Sequence, residues 1–173
     1  MVFNLILKYF ILCVLFLLLL TTTASTGEYK RANWLNQWAR QANGLNTRGA
    51  ILIRDGIIGN DGSRYWICPY TGKRLDSASD VDIDHVVSLK EAHVSGGAAW
   101  SKKKRLEFAN DFDNLLAVYD RENRKKSSKN PVKWTPPLNS YWKEFARRWR
   151  MVKKKWGLRI SKKEEMALRK MER

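Results

Sequence analysis

Four side chains near the middle of the chain have the types and spacing to hold one divalent metal ion beside one general base. Asp84 and His85 are adjacent, and Asn114 and Asn123 follow His85 at offsets of 29 and 38 residues. Hydrolysis of a phosphodiester needs a base to deprotonate water, and positive charge to stabilise the transition state and the leaving oxygen. An imidazole with an ordinary pKa of about 6.5 suits the first task. A hard cation on carboxylate and amide oxygens suits the second. The set therefore predicts metal-dependent hydrolysis of phosphodiesters.

An Asp-His pair by itself is weak support for catalysis. It is more often an ordinary, partly buried histidine beside an aspartate. The two following amides and the strongly basic composition of the chain favour the catalytic interpretation here.

Three short elements must position these side chains. Apolar and polar residues alternate over Val81–Val87, which predicts a strand that carries Asp84 and His85. A second apolar run over residues 113–118 predicts another strand. The polar segment 120–126 then predicts a short helix that begins with a good N-cap residue. Because adjacent strand residues point to opposite faces, Asp84 and His85 can flank one phosphate only if the strand bends or twists.

The composition indicates a polyanionic partner. The chain has 173 residues and a formal net charge of +16 at pH 7, and the first 24 residues contribute only Lys8 to that charge. The remaining residues are enough for one domain with one core, and they contain all eight tryptophans. Nucleic acid is the predicted partner, with an anionic membrane or cell wall as the alternative.

Residues 1–24 have the pattern of a secretory signal peptide. One charged residue, Lys8, precedes the apolar run 9–20, and small residues follow through Ala24. Cleavage after Ala24 predicts a secreted or periplasmic protein with no stable membrane partner. The alternative is an uncleaved membrane anchor, since the stretch from Val2 is nearly long enough to cross a bilayer.

Cys68 is the only cysteine outside this leader. An intramolecular disulfide and a zinc site with several cysteines are therefore excluded for residues 25–173.

Further elements are predicted before the centre of the chain. Apolar residues share one face over residues 28–43, which predicts a helix that ends at Gly44. Residues 49–62 are ambiguous and could form short strands around a turn. A strand over 64–67 leads into a tight turn at 68–73.

The residues after the centre predict mainly helices. A helix over 102–109 is capped by Ser101, a long helix runs from about Ser140 to Trp156, and a capping box at Ser161 begins the last one. Tryptophans at heptad spacing on the long helix predict a core stripe, with base stacking as the alternative. Its basic residues could track phosphates or form a merely solvated face; they are Lys143, Arg147, Arg148, Arg150, Lys153, Lys154 and Lys155.

The chain resembles the HNH (His-Me finger) endonucleases, in the variant whose last histidine is replaced by asparagine. The residues that match this motif are Asp84-His85, Asn114 and Asn123. Cys68–Lys73 is similar to the "C-x-Y-[ST]-G-K" turn of such domains, and Asn123–Lys126 with Pro131 to their "N-x-x-K…P" ending. Three more segments resemble the "AWxSGAxxW", "FAND" and "WxPP" motifs of exported relatives of the C-terminal domain of modification-dependent (GmrSD-type) restriction enzymes. They are Ala92–Trp100, Phe108–Asp111 and Lys133–Pro137.

The resemblance covers roughly residues 66–137 and implies an α+β fold. A ββα-metal finger at about 80–131 would be braced by N-terminal helices and by basic C-terminal helices at 138–173, in a single domain over 25–173. His93 stands where the family usually has tryptophan, and Ser127-Ser128 where Gly-Asp is common. We expect His93 and the nearby Glu91 to have no part in the site.

The resemblance also implies roles for the site residues. His85 would be the general base, and Asp84 and Asn123 would hold one Mg²⁺ or Mn²⁺ ion. Asn114 would fix the backbone that aims His85. Lys126, Arg124 and Lys73 are candidate nucleic-acid contacts, and for Lys126 a solvated helix-end lysine is an equal alternative.

The predicted function is an exported, magnesium-dependent and largely sequence-tolerant DNA endonuclease, acting as a monomer, with RNA as another candidate substrate. A non-catalytic DNA- or envelope-binding protein remains one alternative. A nuclease toxin with the same site is the other.

Overall fold

The computed structural model describes residues 27–173, and the predicted leader lies outside the described residues. These residues form an α+β fold, as the sequence predicts. The helices are α1 (Thr47–Asp55), α2 (Leu89–Val94), α3 (Lys102–Ala109), α4 (Asp120–Lys126), α5 (Trp142–Lys155) and α6 (Lys162–Met171). The strands are β1 (Ile57–Ile58), β2 (Arg64–Ile67), β3 (Arg74–Leu75), β4 (Val81–His85) and β5 (Leu115–Tyr119).

A ββα unit occupies the centre of the fold. β4 pairs with β5 in antiparallel fashion, with Val81 opposite Tyr119 and His85 opposite Leu115. α4 begins directly after β5 and packs on both strands. β1, β2 and β3 form a separate three-stranded antiparallel sheet. The predicted strand–strand–helix arrangement is therefore present.

The turn at residues 68–73 joins β2 to β3 and also touches the ββα unit. Cys68 accepts backbone hydrogen bonds from Thr71 and Gly72, and its own N–H bonds to the carbonyl of Lys73. Gly72 has a φ of +71°, a conformation that glycine adopts without strain. The free, buried thiol of Cys68 accepts a hydrogen bond from the backbone N–H of Tyr119, the last residue of β5.

The predicted helix over residues 28–43 is wrong. Apart from a 3-10 turn at Arg31–Asn33, the segment is irregular. Its apolar residues have helical spacing, yet each meets a different partner: Trp34 is buried in the core, whereas Trp38 stacks on His85. The backbone is held by distant groups, since Ala39 donates to the Asn110 side chain and accepts from Thr47. These tertiary contacts outweigh the local helical pattern.

The ambiguous stretch at residues 49–62 is divided between a helix and a strand. α1 covers its first part, because the Asn46 side chain caps the N–H of Gly49 and Ile51 is fully buried beneath the helix. Ile57–Ile58 then forms the edge strand β1.

The C-terminal helices follow the sequence pattern closely. Ser101 caps α3, and Ser161 and Glu164 make the predicted capping box of α6. On α5, Trp149 is fully buried, and Trp142 and Trp156 are half-buried against the same core. The tryptophan stripe is thus part of the core. None of the helices within residues 27–173 is long and apolar enough to cross a membrane.

Candidate active site

His85 ends β4 and is held by a single backbone carbonyl. Its Nε2 lies 2.8 Å from the carbonyl oxygen of Ala109, at the end of α3. Because that oxygen can only accept, Nε2 carries the proton and Nδ1 keeps a free lone pair. Among the described residues, Nδ1 has no hydrogen-bond partner. The ring also stacks on Trp38, with 5.7 Å between centroids and 12° between planes.

Burial keeps this imidazole neutral. His85 is 5% exposed, and burial lowers its pKa to about 3. The positive charges of Arg31 and Lys126 add to this lowering of the pKa, and the hydrogen bond to Ala109 opposes it. A neutral ring with one free lone pair is the state in which histidine can accept a proton from water.

Asp84 lies beside His85 but has different partners, as expected for adjacent strand residues. Its Oδ2 accepts a 2.6 Å hydrogen bond from the Tyr70 hydroxyl. The ammonium of Lys126 lies 3.0 Å from Oδ1 and 2.9 Å from Oδ2. Burial raises the pKa of Asp84, and the hydrogen bonds and charge of these two partners act against that rise. The contacts with Lys126 and Tyr70 thus favour the ionised carboxylate, which is the form that can bind a cation.

Asn123 projects from α4 near the same strand. Its amide nitrogen donates to Asp82 Oδ2 at 3.2 Å, so the amide oxygen is the end that is left for a ligand. Because α4 packs on β4, a residue 38 positions after His85 in the chain lies beside it in space.

Asn114 connects the two strands at the end that carries His85. Its amide nitrogen donates to the Val87 carbonyl (3.1 Å), and its amide oxygen accepts from the Val87 N–H (2.8 Å). Its own carbonyl accepts from the N–H of Val86. Asn114 is fully buried. It therefore fixes the chain just beyond His85, which is the arrangement expected of a positioning residue.

Three of the four predicted residues line one cleft of about 270 Å³: Asp84, His85 and Asn123. Arg31 and Lys90 add positive charge to its wall, and neither forms a salt bridge with the described residues. The rest of the lining comprises Tyr29, Ile83, Ser88, Leu89, Arg124, Ser127 and Ser128. The cleft combines a neutral imidazole, a carboxylate, an amide and cations, which are groups that can bind and hydrolyse a phosphodiester.

Comparison with known proteins identifies the family. The model of the family described as "GmrSD restriction endonucleases, C-terminal domain" matches residues 16–171. This chain belongs to that family. An uncharacterized secreted protein from Arthroderma benhamiae is 42% identical to it over 142 residues, covering 78% of this chain and 70% of the relative. No solved structure matches the chain. The predicted membership of a nuclease family is confirmed.

In this member of the GmrSD C-terminal family, Lys126 does not lie where either prediction put it. The side chain is fully buried, and its ammonium also donates to the His85 carbonyl at 2.9 Å. It is neither a surface phosphate contact nor a solvated helix-end lysine. Its position five residues before the proline that ends the motif gave no sign of this, because the partner carboxylate lies 42 residues away in the chain.

The other two candidate nucleic-acid contacts are exposed and differ in position. Arg124 lines the cleft and pairs with Asp120 on the surface of α4. Lys73 lies over the ring of Tyr119, 4.0 Å from its centroid. Tyr119 is opposite Val81, at the other end of the ββ ribbon from His85, a separation of about 13 Å at 3.4 Å per residue. A role in nucleic-acid binding stays a prediction for both.

The basic side of α5 differs from the expected phosphate-binding surface. Five of its seven cations pair with carboxylates of the protein itself: Arg147 and Arg148 with Glu144, Arg150 with Glu165 and Glu172, Lys153 with Glu91 and Glu164, and Lys155 with Asp111 and Asp113. Lys153 is fully buried. Only Lys143 and Lys154 of the set remain exposed without an ion pair among the described residues.

His93 and Glu91 lie outside the cleft, as expected. His93 is buried, bonds to the carbonyl of Gly27 and packs edge-on against Trp34. Glu91 accepts hydrogen bonds from Lys153 and Ser95 in a buried polar cluster.

Three groups at the site were not predicted: the Tyr70 hydroxyl, the Ala109 carbonyl and the Trp38 ring. Tyr70 and Ala109 stand inside the "C-x-Y-[ST]-G-K" and "FAND" motifs, so the resemblance pointed to their segments. Trp38 carries no motif and was assigned to a helix that does not exist.

The donor set fits the divalent cation that HNH nucleases typically use. A carboxylate offers about four acceptor positions, so the contacts of Asp84 with Tyr70 and Lys126 still leave room for a cation. Mg²⁺ needs only one or two protein oxygens and keeps several waters. Residues 27–173 contain no cluster of three or more His, Cys, Asp or Glu side chains able to hold a metal. The predicted set relies on the Asn123 amide instead, and Lys126 is a cation that competes for Asp84.

Proposed function

We propose that this protein is an exported, metal-dependent DNA endonuclease with little sequence specificity. The observation that carries the proposal is the state of His85. Its proton is held on Nε2 by Ala109, which leaves the lone pair of Nδ1 free to accept a proton in a cleft that also contains Asp84 and Asn123. Membership of the GmrSD C-terminal family supports a nucleic-acid substrate.

In this proposal His85 accepts the proton of the attacking water through Nδ1. The hydrogen bond between Nε2 and Ala109 stabilises the imidazolium that results, and Asn114 keeps the strand end in place. Asp84 and Asn123 would hold a Mg²⁺ ion, which when bound would stabilise the charge on the phosphate and the leaving 3′-oxygen. Attack in line then leaves 5′-phosphate and 3′-hydroxyl ends.

Export and a monomeric state are part of the same proposal. The leader pattern at residues 1–24 and the relative named as a secreted protein both support secretion. The net charge of +16 suits a polyanionic substrate met in solution. We propose a monomer without a stable membrane partner once the leader is cleaved.

A plasmid-nicking assay tests the enzymatic proposal. The purified protein should convert supercoiled plasmid to nicked and linear forms with Mg²⁺ or Mn²⁺, and EDTA should stop the reaction. His85→Gln can still donate to Ala109 but has no basic nitrogen, so we expect the rate to fall by a factor of about 10² to 10⁴. His93→Gln is the matched control and should cut like the wild type. Undiminished cleavage by His85→Gln would refute the assignment.

One observation favours a second candidate, a non-catalytic DNA-binding protein. The Lys126 ammonium already contacts both oxygens of Asp84, so this carboxylate has a cationic partner without any metal ion. Such a protein would bind DNA with a steep salt dependence, of about 0.9 in log–log slope per phosphate contacted. It would show no metal-dependent cleavage in the plasmid assay. A nuclease toxin would give the same cleavage and would be distinguished by a neighbouring immunity protein.

A further inference from the structure

A second depression of about 690 Å³ lies beside the catalytic cleft, and we call it the loop groove. Its walls are the irregular segment 32–46 and the exposed side of α3. It is larger than the cleft and has no role in the proposed hydrolysis. The lining consists of Ala32, Asn33, Trp34, Asn36, Gln37, Trp38, Ala39, Arg40, Gly44, Asn46, Lys102 and Leu106.

The loop groove and the cleft are adjacent. The 3-10 turn at Arg31–Asn33 separates them, with Arg31 in the wall of the cleft and Asn33 in that of the groove. Trp38 lines the groove and stacks on His85, which lines the cleft. A nucleic-acid strand with a phosphate at His85 therefore has the groove next to it.

The position of the groove relative to His85 is fixed by hydrogen bonds. Asn110 Oδ1 accepts from the N–H of Ala39 (3.0 Å) and from the hydroxyl of Thr47 (2.7 Å). Asn110 directly follows Ala109, the partner of His85. The loop that forms the groove and the carbonyl that orients the base are thus held at the same end of α3.

The chemistry of the lining suits a nucleobase. Asn33, Asn36 and Gln37 are exposed, and their side-chain amides form no hydrogen bond with the described residues. Each amide offers both donors and an acceptor, so together they can match the edge of any base. Trp38 is half-buried and adds an aromatic surface, on which bases stack with little regard for sequence.

Trp34, one of the lining residues, has a buried indole N–H without a hydrogen-bond partner among the described residues. The residue is 2% exposed. Buried indole N–H groups usually find an acceptor.

The charge distribution also favours this side of the molecule. Arg40 and Lys102 line the groove, and neither forms a salt bridge with the described residues. Arg31 and Lys90 continue the unpaired positive charge into the cleft. The cations of α5, by contrast, are mostly paired with the protein's own carboxylates.

We propose that the loop groove binds one unpaired nucleobase of the strand whose phosphate lies at His85. The base would stack on Trp38 and bond to the amides of Asn36 and Gln37. This rests on the proposed function for the position of the phosphate. It adds a preference for an unpaired base at one fixed position beside the cut, since base pairing in a duplex occupies the edge that the amides contact.

An abasic-site scan on single-stranded DNA tests the proposal. The full-length chain, expressed with its own leader, is given end-labelled oligonucleotides that each lack one base at a successive position around the main cut. Loss of the base at a single position should slow cleavage about tenfold or more, the effect expected of one lost stacking contact. Binding of the same oligonucleotides in EDTA, followed by fluorescence anisotropy, should weaken by a similar factor.

The variant that isolates the groove is Asn36→Ala with Gln37→Ala, both on exposed side chains. It should show an abasic effect on cutting and on binding that is about threefold or more smaller than that of the wild type, because the hydrogen bonds to the base are gone and only the stacking on Trp38 remains. Asn60→Ala with Asn139→Ala, which removes two exposed amides that line neither the groove nor the cleft, is the matched control and should keep the wild-type difference.

The two proposals fail in distinguishable ways. If neither the wild type nor any variant cuts DNA, the proposed hydrolysis is wrong. The difference in binding between intact and abasic oligonucleotides, measured by anisotropy, then still tests the groove proposal. If the wild type cuts but shows no abasic effect at any position, the groove proposal is wrong and the hydrolysis stands. An abasic effect that is as large in Asn36→Ala with Gln37→Ala as in the wild type also refutes the groove proposal.

Discussion

Replacement of Lys126 by methionine tests the ion pair on which the electrostatics of the cleft depend. Lys126 is fully buried, and its ammonium has three acceptors within 3.0 Å: both oxygens of Asp84 and the carbonyl of His85. Methionine has similar length and fills the same space without the charge. Asp84, itself 5% exposed, would then keep only the Tyr70 hydroxyl as a partner.

The expected effect on stability is large. Breaking a buried ion pair by removing one partner costs about 3–5 kcal/mol, because the other charge stays buried without compensation. With a denaturant slope of about 2 kcal/mol per molar urea, the midpoint of unfolding should fall by about 1.5–2.5 M. Removing both charges relieves that penalty. Asp84→Asn combined with Lys126→Met should therefore be more stable than Lys126→Met alone, by about 1–3 kcal/mol.

Urea unfolding followed by tryptophan fluorescence measures both changes, since the chain has eight tryptophans. Lys129→Met is the matched control. Its ammonium bonds only to the exposed carbonyl of Lys125, so its free energy of unfolding should stay within about 0.5 kcal/mol of the wild type. A Lys126→Met variant within about 1 kcal/mol of the wild type would refute the buried pair. So would a double variant no more stable than the single one.

Three further predictions concern the site and the C-terminal helices. Asn114→Ala leaves the buried N–H and C=O of Val87 unpaired and should lower the free energy of unfolding by about 2–4 kcal/mol. Urea unfolding measures this loss. A loss below about 1 kcal/mol would contradict the positioning role given to the Asn114 amide. Saturating Mg²⁺ should raise the melting temperature of Lys126→Met more than that of the wild type, because the cation can occupy the place of the ammonium. Equal increases in melting temperature would show that Mg²⁺ and the Lys126 ammonium do not compete for Asp84. Burial acts to raise the pKa of Glu164, but its hydrogen bonds with Lys153 and Ser161 leave that pKa below the ordinary glutamate value of 4.5. The pair therefore stabilises the fold above that pH and loses its effect as pH falls through the lower folded value. Glu164→Gln should be less stable than the wild type at neutral pH. Urea titrations should show that the difference in free energy of unfolding becomes smaller in acid. A difference that does not change with pH would contradict the lowered pKa of Glu164.

The helix, strand and turn boundaries around the site were largely predictable because they depend on local chemistry. Ser101 and Ser161 are capping residues that act within the next turn of chain. The alternation of apolar and polar residues over Val81–His85 predicts the strand, although the fold buries every residue of it except Asp82. The register with β5 then brings Asn114 to the end that carries His85. Such signals involve neighbours in sequence, so the chain itself contains them.

The segment 28–43 shows where this kind of reasoning fails. Trp34, Leu35 and Trp38 have helical spacing, but periodicity cannot reveal that Trp38 packs on a histidine 47 residues later. Nor can it reveal that the N–H of Ala39 is satisfied by a side chain 71 residues away. The backbone needs no helix once those partners exist.

The sequence by itself predicted the candidate site residues as a set: an imidazole, a carboxylate and two amides in motifs that resemble those of the family. Only the tertiary structure decided which cations face solvent. Lys126 and Lys153 look like surface lysines in any local window, yet both are fully buried, with carboxylate partners 42 and 62 residues away. Burying a charge is favourable only when a distant opposite charge meets it, and that meeting is a property of the fold. For the same reason, most cations of α5 are paired with carboxylates, whereas most cations that line the cleft and the loop groove have no ion pair among the described residues.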